Sequence, residues 1–112
     1  MTEKVLITIY GKDVAPRFDY TSEIFIASLN DGREVVESKT IVMTSASAEE
    51  LCHMILSQGV TDVICGGIED EFYQYLKWKR VRVLDSVIGP YEDVLELFLA
   101  NRLAQGSNLF RA

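Results

Sequence analysis

The apolar residues of this chain change period after residue 43, and that change limits the folds open to it. Before it stand three β-type runs: residues 4–10 (KVLITIY), 22–29 (SEIFIASL) and the more polar 34–43. Gly11 ends the first run. Asn30-Asp31-Gly32 between the second and third is a hairpin signal. After the change, Ala48, Leu51, Cys52 and Ile55 recur at helical spacing behind Ser47, and Glu50 sits where a capping box places it. Gly59 closes that helix. Residues 60–65 are short and nearly continuous in apolar side chains, as in a strand covered on both faces. Ile68, Phe72, Tyr75 and Leu76 mark a second helix and residues 81–84 a last strand. Pro90 opens a third helix with Tyr91, Val94, Leu95, Phe98 and Leu103 on one side.

The order β-β-β-α-β-α-β-α predicts an α/β fold. Three hairpin-linked strands followed by two parallel ones make a mixed five-stranded sheet of order 3-2-1-4-5, its second strand antiparallel, with helices on both faces. Such a sheet has a crevice at the carboxyl ends of its parallel strands. Residues 11–19 and Gly66-Gly67 meet there, flanked by residues 85–89.

With 112 residues, 48% of them hydrophobic, the chain reads as one domain over 1–112, with residues 105–112 as a frayed tail. A chain of that size buries enough surface to fold without disulfides. Its two cysteines, Cys52 and Cys65, form no CxxC pair, which argues against a disulfide framework or a closed zinc site. No apolar run reaches membrane-spanning length, and residues 1–4 (MTEK) lack a signal-peptide layout, so a reduced cytoplasmic protein without a membrane partner is expected. The net charge of −6 argues against nucleic acid. Trp78-Lys79-Arg80 then reads as a solvated helix end, and His53 as a surface histidine. The third strand, as a sheet edge, offers a route to a homodimer.

Residues 13–19 (DVAPRFD) followed by 64–68 (ICGGI) are similar to the dinitrogenase iron–molybdenum cofactor biosynthesis family. The likeness spans almost the whole chain in element order and includes Gly89-Pro90 with Val94-Leu95 and Phe98-Leu99 near the end. It implies a ribonuclease H-like fold and a small accessory or carrier role without catalysis. The implied ligand is an iron- or molybdenum-containing sulfur cluster or its precursor, and the implied partner is that cluster or a cluster-assembly protein. The site so implied comprises Arg17, Phe18, Asp19, Cys65, Gly66 and Gly67, with Cys65 as the metal ligand.

Each of these residues also has a structural reading. Arg17 could hold an oxyanion with its planar donors, or pair with Asp19 and stitch the loop while Phe18 plugs the core. A thiolate at Cys65 would suit a soft metal, yet unpaired cysteines are among the most buried residues. Gly66-Gly67 could admit a ligand to the backbone or allow a sharp turn. Glu69-Asp70-Glu71 complement the next helix's dipole and compete with an incoming anion. Nuclease chemistry on such a fold would need a carboxylate on the first strand, and KVLITIY has none. No phosphate-binding loop is present, and a Ser-His-Asp triad would depend on His53 alone. A second class of function stays open beside the carrier: a metal-free interaction or regulatory module that keeps only the fold.

Overall fold

The computed structural model describes residues 3–110. Its sheet is built on β1 (Glu3–Tyr10), whose residues 5–9 are all buried because both faces are covered. A short β2 (Asp13–Val14) folds straight back on it, pairing Ile9 with Val14. Next come a 3-10 turn (Phe18–Tyr20), β3 (Glu23–Leu29) and β4 (Val35–Val42), then α1 (Ala48–Ser57) and β5 (Asp62–Ile64). The chain ends with α2 (Asp70–Trp78), β6 (Arg82–Leu84) and α3 (Tyr91–Leu99). The strand path is β4-β3-β1-β5-β6, with β2 lying off it on β1. The first three strands on that path are antiparallel, and β1, β5 and β6 run parallel. The expected mixed α/β sheet is therefore present, with β2 as a sixth strand that the sequence reading did not contain.

Alternation along the strands divides the core into two layers. Leu6, Ile24, Ile26, Val63 and Cys65 face α1 and α2, packing with Leu51, Cys52, Ile55 and Leu76. Val5, Ile7, Ala27, Ile64 and Leu84 pack on the other side with Val94 and Phe98 of α3. Ser47 caps α1 as its sequence suggests, its hydroxyl accepting from the Glu50 N–H at 3.2 Å. All three helices close with a residue in the left-handed region: Gly59 (φ 71°), Arg80 (φ 65°) and Asn101 (φ 58°). The N–H that follows each one donates five residues back: Val60 to Ile55 O, Val81 to Leu76 O and Arg102 to Leu97 O.

The β3–β4 hairpin turns at Asn30, as expected, but the left-handed position falls on Arg33 (φ 60°) and not on Gly32. Side-chain contacts offset that backbone cost. The Arg33 guanidinium donates to Phe98 O, to Leu99 O at 3.1 Å and to Glu3 Oε1 at 2.6 Å, and lies 4.9 Å from the centre of the Phe98 ring. A cation thus caps the carboxyl end of α3 and ties the hairpin to it.

The tail departs from expectation. Gly106 N–H donates to Asp85 O, Ile88 N–H to Ser107 O and Leu109 N–H to Ile88 O, at 2.8–2.9 Å. Residues 105–110 are therefore pinned along the loop after β6, not frayed. The small and polar residues 105–108 resemble a loose end, but they serve here as backbone that can pair. Residues 111–112, the rest of the expected tail, and residues 1–2 lie outside the described residues. Among the described residues no helix is long and apolar enough to cross a membrane.

Candidate functional site

The two quoted motifs do meet at the carboxyl ends of β1 and β5, but they are joined and not held apart. Gly67 N–H donates to Pro16 O at 2.8 Å, and Phe18 N–H donates to Gly67 O at 2.8 Å. These two bonds make a parallel bridge between Arg17 and Gly67. Ala15 N–H, donating to Thr8 O at 2.8 Å, fixes the loop to β1 just before it. The approach is so close that a Cβ on Gly66 would lie 2.4 Å from Ala15 O and 2.6 Å from Pro16 O. Gly66 is thus required by chain packing, and Gly67's N–H is already committed to a carbonyl.

The remaining predicted residues divide between surface and core. Arg17 is exposed and makes a two-pronged contact with Asp19, Nε to Oδ1 at 2.9 Å and Nη2 to Oδ2 at 3.0 Å, while its guanidinium lies 5.2 Å from the Tyr20 ring centre. The hydrogen bond from Arg17 holds the Asp19 carboxyl below its ordinary range, and the same bond raises Arg17. The pair stitches the loop. Phe18 is buried beneath it, 6.3 Å from the Phe72 ring. Cys65 is fully buried against the α1–α2 layer. Burial, with a smaller effect from Asp85, pushes its thiol far above the usual range. Cys52 is buried as well and is pushed up to about 11, by burial first and then by Glu49. At neutral pH neither sulfur is an available thiolate.

The open part of the crevice lies beside this bridge. A cleft of about 480 Å³ is lined by Tyr10, Asp13, Val14, Pro16, Gly66, Gly67, the 86–89 loop and Phe110. That volume is in the range of small-ligand sites. Tyr10 (76% exposed), Ile88 (48%) and Phe110 (63%) form an exposed apolar rim. The 86–89 loop is shaped by two left-handed residues, Ser86 (φ 57°) and Gly89 (φ 146°), and is bonded on both sides. Ser86 N–H donates to Gly66 O at 2.8 Å, and Val87 N–H to Cys65 O at 3.0 Å. Two buried polar atoms lack a partner among the described residues: Thr8 Oγ1 on β1 and Asp85 Oδ1 just after β6. Neither residue lines the cleft, and buried polar atoms without partners are uncommon in folded proteins.

The sequence reading had placed 85–89 only as a flank, and it missed Tyr10 and Phe110. An exposed aromatic at the end of a central strand was the available signal for Tyr10. Phe110 gave none, because its position depends on the pinned tail. A hollow of about 520 Å³ runs along α1 past His53, but it contains neither motif and no end of a parallel strand.

The dinitrogenase iron-molybdenum cofactor family profile matches residues 3–101, nearly the whole described chain. This chain is a member of that family. Solved structures share its fold at low identity. The protein PH0822 superimposes with a TM-score of 0.82 at 19% identity, over 91% of this chain and 93% of its own. Protein MJ0327 of Methanocaldococcus jannaschii gives 0.75 at 23%, over 96% and 98%. The orange protein of Desulfovibrio gigas, solved in its apo form, gives 0.72 at 13%, over 95% and 94%. No curated protein matches the sequence. Family membership relates the chain to iron–molybdenum cofactor biosynthesis as an accessory domain.

The residues present do not fit a resident cluster ligated by the protein. Both thiols are buried, and no group of three or more His, Cys, Asp or Glu side chains converges among the described residues. One thiol cannot hold a cluster alone, and here even that one is covered. Any iron- or molybdenum–sulfur species that this domain handles would come as cargo.

Proposed function

We propose that this chain is a non-catalytic accessory domain that receives an iron- or molybdenum-containing sulfur species, or its precursor, as cargo in the cleft beside the motif bridge. The observation that supports this reading most is the position of the cleft: it opens at the carboxyl ends of the parallel strands and takes lining residues from both family motifs. The walls are glycine backbone and soft apolar side chains, and holding would come from shape and hydrogen bonds, without thiolate ligation. Asp13 is in the lining, Asp85 directly precedes the 86–89 loop, and Glu69, Asp70 and Glu71 follow Gly67 into α2, so the segments that form the cleft are acidic. A strongly anionic species would therefore need its charge shared with a metal ion or with an assembly partner.

The second reading, a metal-free module that docks a partner protein on the same cleft, draws on a different observation. The exposed rim of Tyr10, Ile88 and Phe110 has the aromatic and aliphatic character of a protein contact centre. In both readings the cleft is the working surface and the cysteines are core.

Anaerobic incubation with tetrathiomolybdate, and separately with ferrous iron and sulfide, followed by gel filtration and elemental analysis, distinguishes the two. Under the first reading, metal co-elutes with the protein, Cys65→Ala retains it within about twofold, and Ile88→Glu lowers it at least about tenfold. Absence of co-eluting metal under all conditions would leave only the docking module. Loss of metal in a folded Cys65→Ala protein would overturn the cleft assignment.

A further inference from the structure

We propose that β4 is a self-association edge, on which a second copy of this chain adds its own β4 antiparallel and so extends the sheet across a two-fold axis at Ser38. The inference rests on the sheet alone and is independent of the cleft. β4 is eight residues long, lies at the end of the strand path and has no proline. Natural edges are ordinarily shortened, covered, bulged or charged, and of these devices β4 carries the bulge at Val36 and the charges of Glu37 and Lys39. Its outer backbone groups can be placed from its pairing with β3. Met43 N–H donates to Ser22 O at 2.7 Å, so the antiparallel alternation turns the N–H and C=O groups of Val42, Thr40 and Ser38 outward. The register shift between Ser28 and Leu29 skips Val36, which leaves that residue without a partner on β3.

Charge then selects the register. A two-fold axis normal to the sheet keeps faces together, so each residue meets one of the same parity. Centred on Ser38, the pairs are Ser38 with Ser38 of the second copy, and Thr40 with Val36 of the second copy. Of these, Ser38 and Thr40 carry outward backbone groups, while Val36 sits at the register shift. Between them, Glu37 lies opposite Lys39 of the second copy, twice by symmetry, at positions where side chains approach most closely. Both residues lie on the α1 face, since Ser28 pairs with Glu37 and Ile26 with Lys39. Lys39 Nζ has only a 3.4 Å contact with Gln58 Oε1, and neither residue is in an ion pair among the described residues. Centring on Lys39 would set lysine against lysine, and centring on Glu37 would set glutamate against glutamate. Exposed Val36 gains Thr40 of the second copy as a neighbour.

Sedimentation equilibrium from about 10 µM to about 1 mM, the range a small interface spans, tests this. The mean mass is expected to rise towards twice the 12.6 kDa of one chain. Glu37→Lys alone and Lys39→Glu alone should each weaken association about tenfold or more, and the double reversal should restore it. Mixing the two single variants should also restore it, as a heterodimer. A chain that stays monomeric throughout would overturn the proposal. So would association indifferent to both reversals, or failure of the two single variants to pair. Both side chains are exposed, and unchanged thermal unfolding of each variant under dilute conditions checks that the fold is intact.

Discussion

Gly66→Ala is expected to destabilise this protein by about 3 kcal/mol, the upper end of what overpacking typically costs. The reason is the identity of the atoms that the new methyl would meet. Ala15 O and Pro16 O, at 2.4 and 2.6 Å, are backbone atoms, so no rotamer change relieves the clash. Moving them away would break the bonds from Gly67 N–H to Pro16 O and from Phe18 N–H to Gly67 O, and would strain the bond from Ala15 N–H to Thr8 O. Gly67→Ala is the control. Its Cβ would make only an ordinary contact, 3.5 Å from Pro16 O, and should cost no more than about 1 kcal/mol. Urea unfolding midpoints of the two variants check this. Equal, small shifts would show that the bridge between the motifs is looser than described.

Phe18→Ala has the other large effect, a loss of about 3–5 kcal/mol. The ring is 1% exposed and packs with Leu6, Ile24 and Cys65 and against Phe72. Its removal leaves a cavity where β1, the motif loop and α2 meet. Arg17→Ala, one residue away, should change stability by less than about 1 kcal/mol, because the Arg17–Asp19 pair is open to solvent. Thermal or urea unfolding of the two variants separates them. A Phe18→Ala protein within about 1 kcal/mol of the parent would mean that the ring is not a core residue, and would return it to the candidate site.

The sheet was largely legible because its information is periodic. KVLITIY and residues 60–65 announce strands covered on both faces, and the i, i+3, i+4 spacing after Ser47 announces a helix whatever surrounds it. What stayed hidden depends on contacts between segments distant in sequence. β2 exists because Val14 finds Ile9 after a tight reversal at Gly11, and two residues carry no period. Arg33 occupies a position suited to glycine because its side chain reaches α3, some 65 residues away. The tail is ordered by β-type bonds to Ile88, which its own composition does not suggest.

The candidate site divides in the same way. The meeting of DVAPRFD with ICGGI followed from strand order. Their closure into a bridge did not, because it depends on the depth to which Gly66 lets two carbonyls approach. For that reason the open cleft lies beside the bridge, lined in part by Asp13, Val14, Pro16, Gly66 and Gly67 and rimmed by Tyr10, Ile88 and Phe110. Of the six residues expected to bind, Gly66 and Gly67 line it, Arg17 and Asp19 pair with each other, and Phe18 and Cys65 are core.

The central claim is that the cleft, and not the cysteine, is the working surface. Amide chemical-shift mapping on the ¹⁵N-labelled protein during anaerobic titration with tetrathiomolybdate tests it most directly. The account predicts shifts concentrated at Tyr10, Gly66, Gly67, residues 86–89 and Phe110, with the α1 amides around Cys52 and His53 unmoved. Shifts centred on α1, or spread through the core around Cys65 with slow opening of the fold, would contradict it.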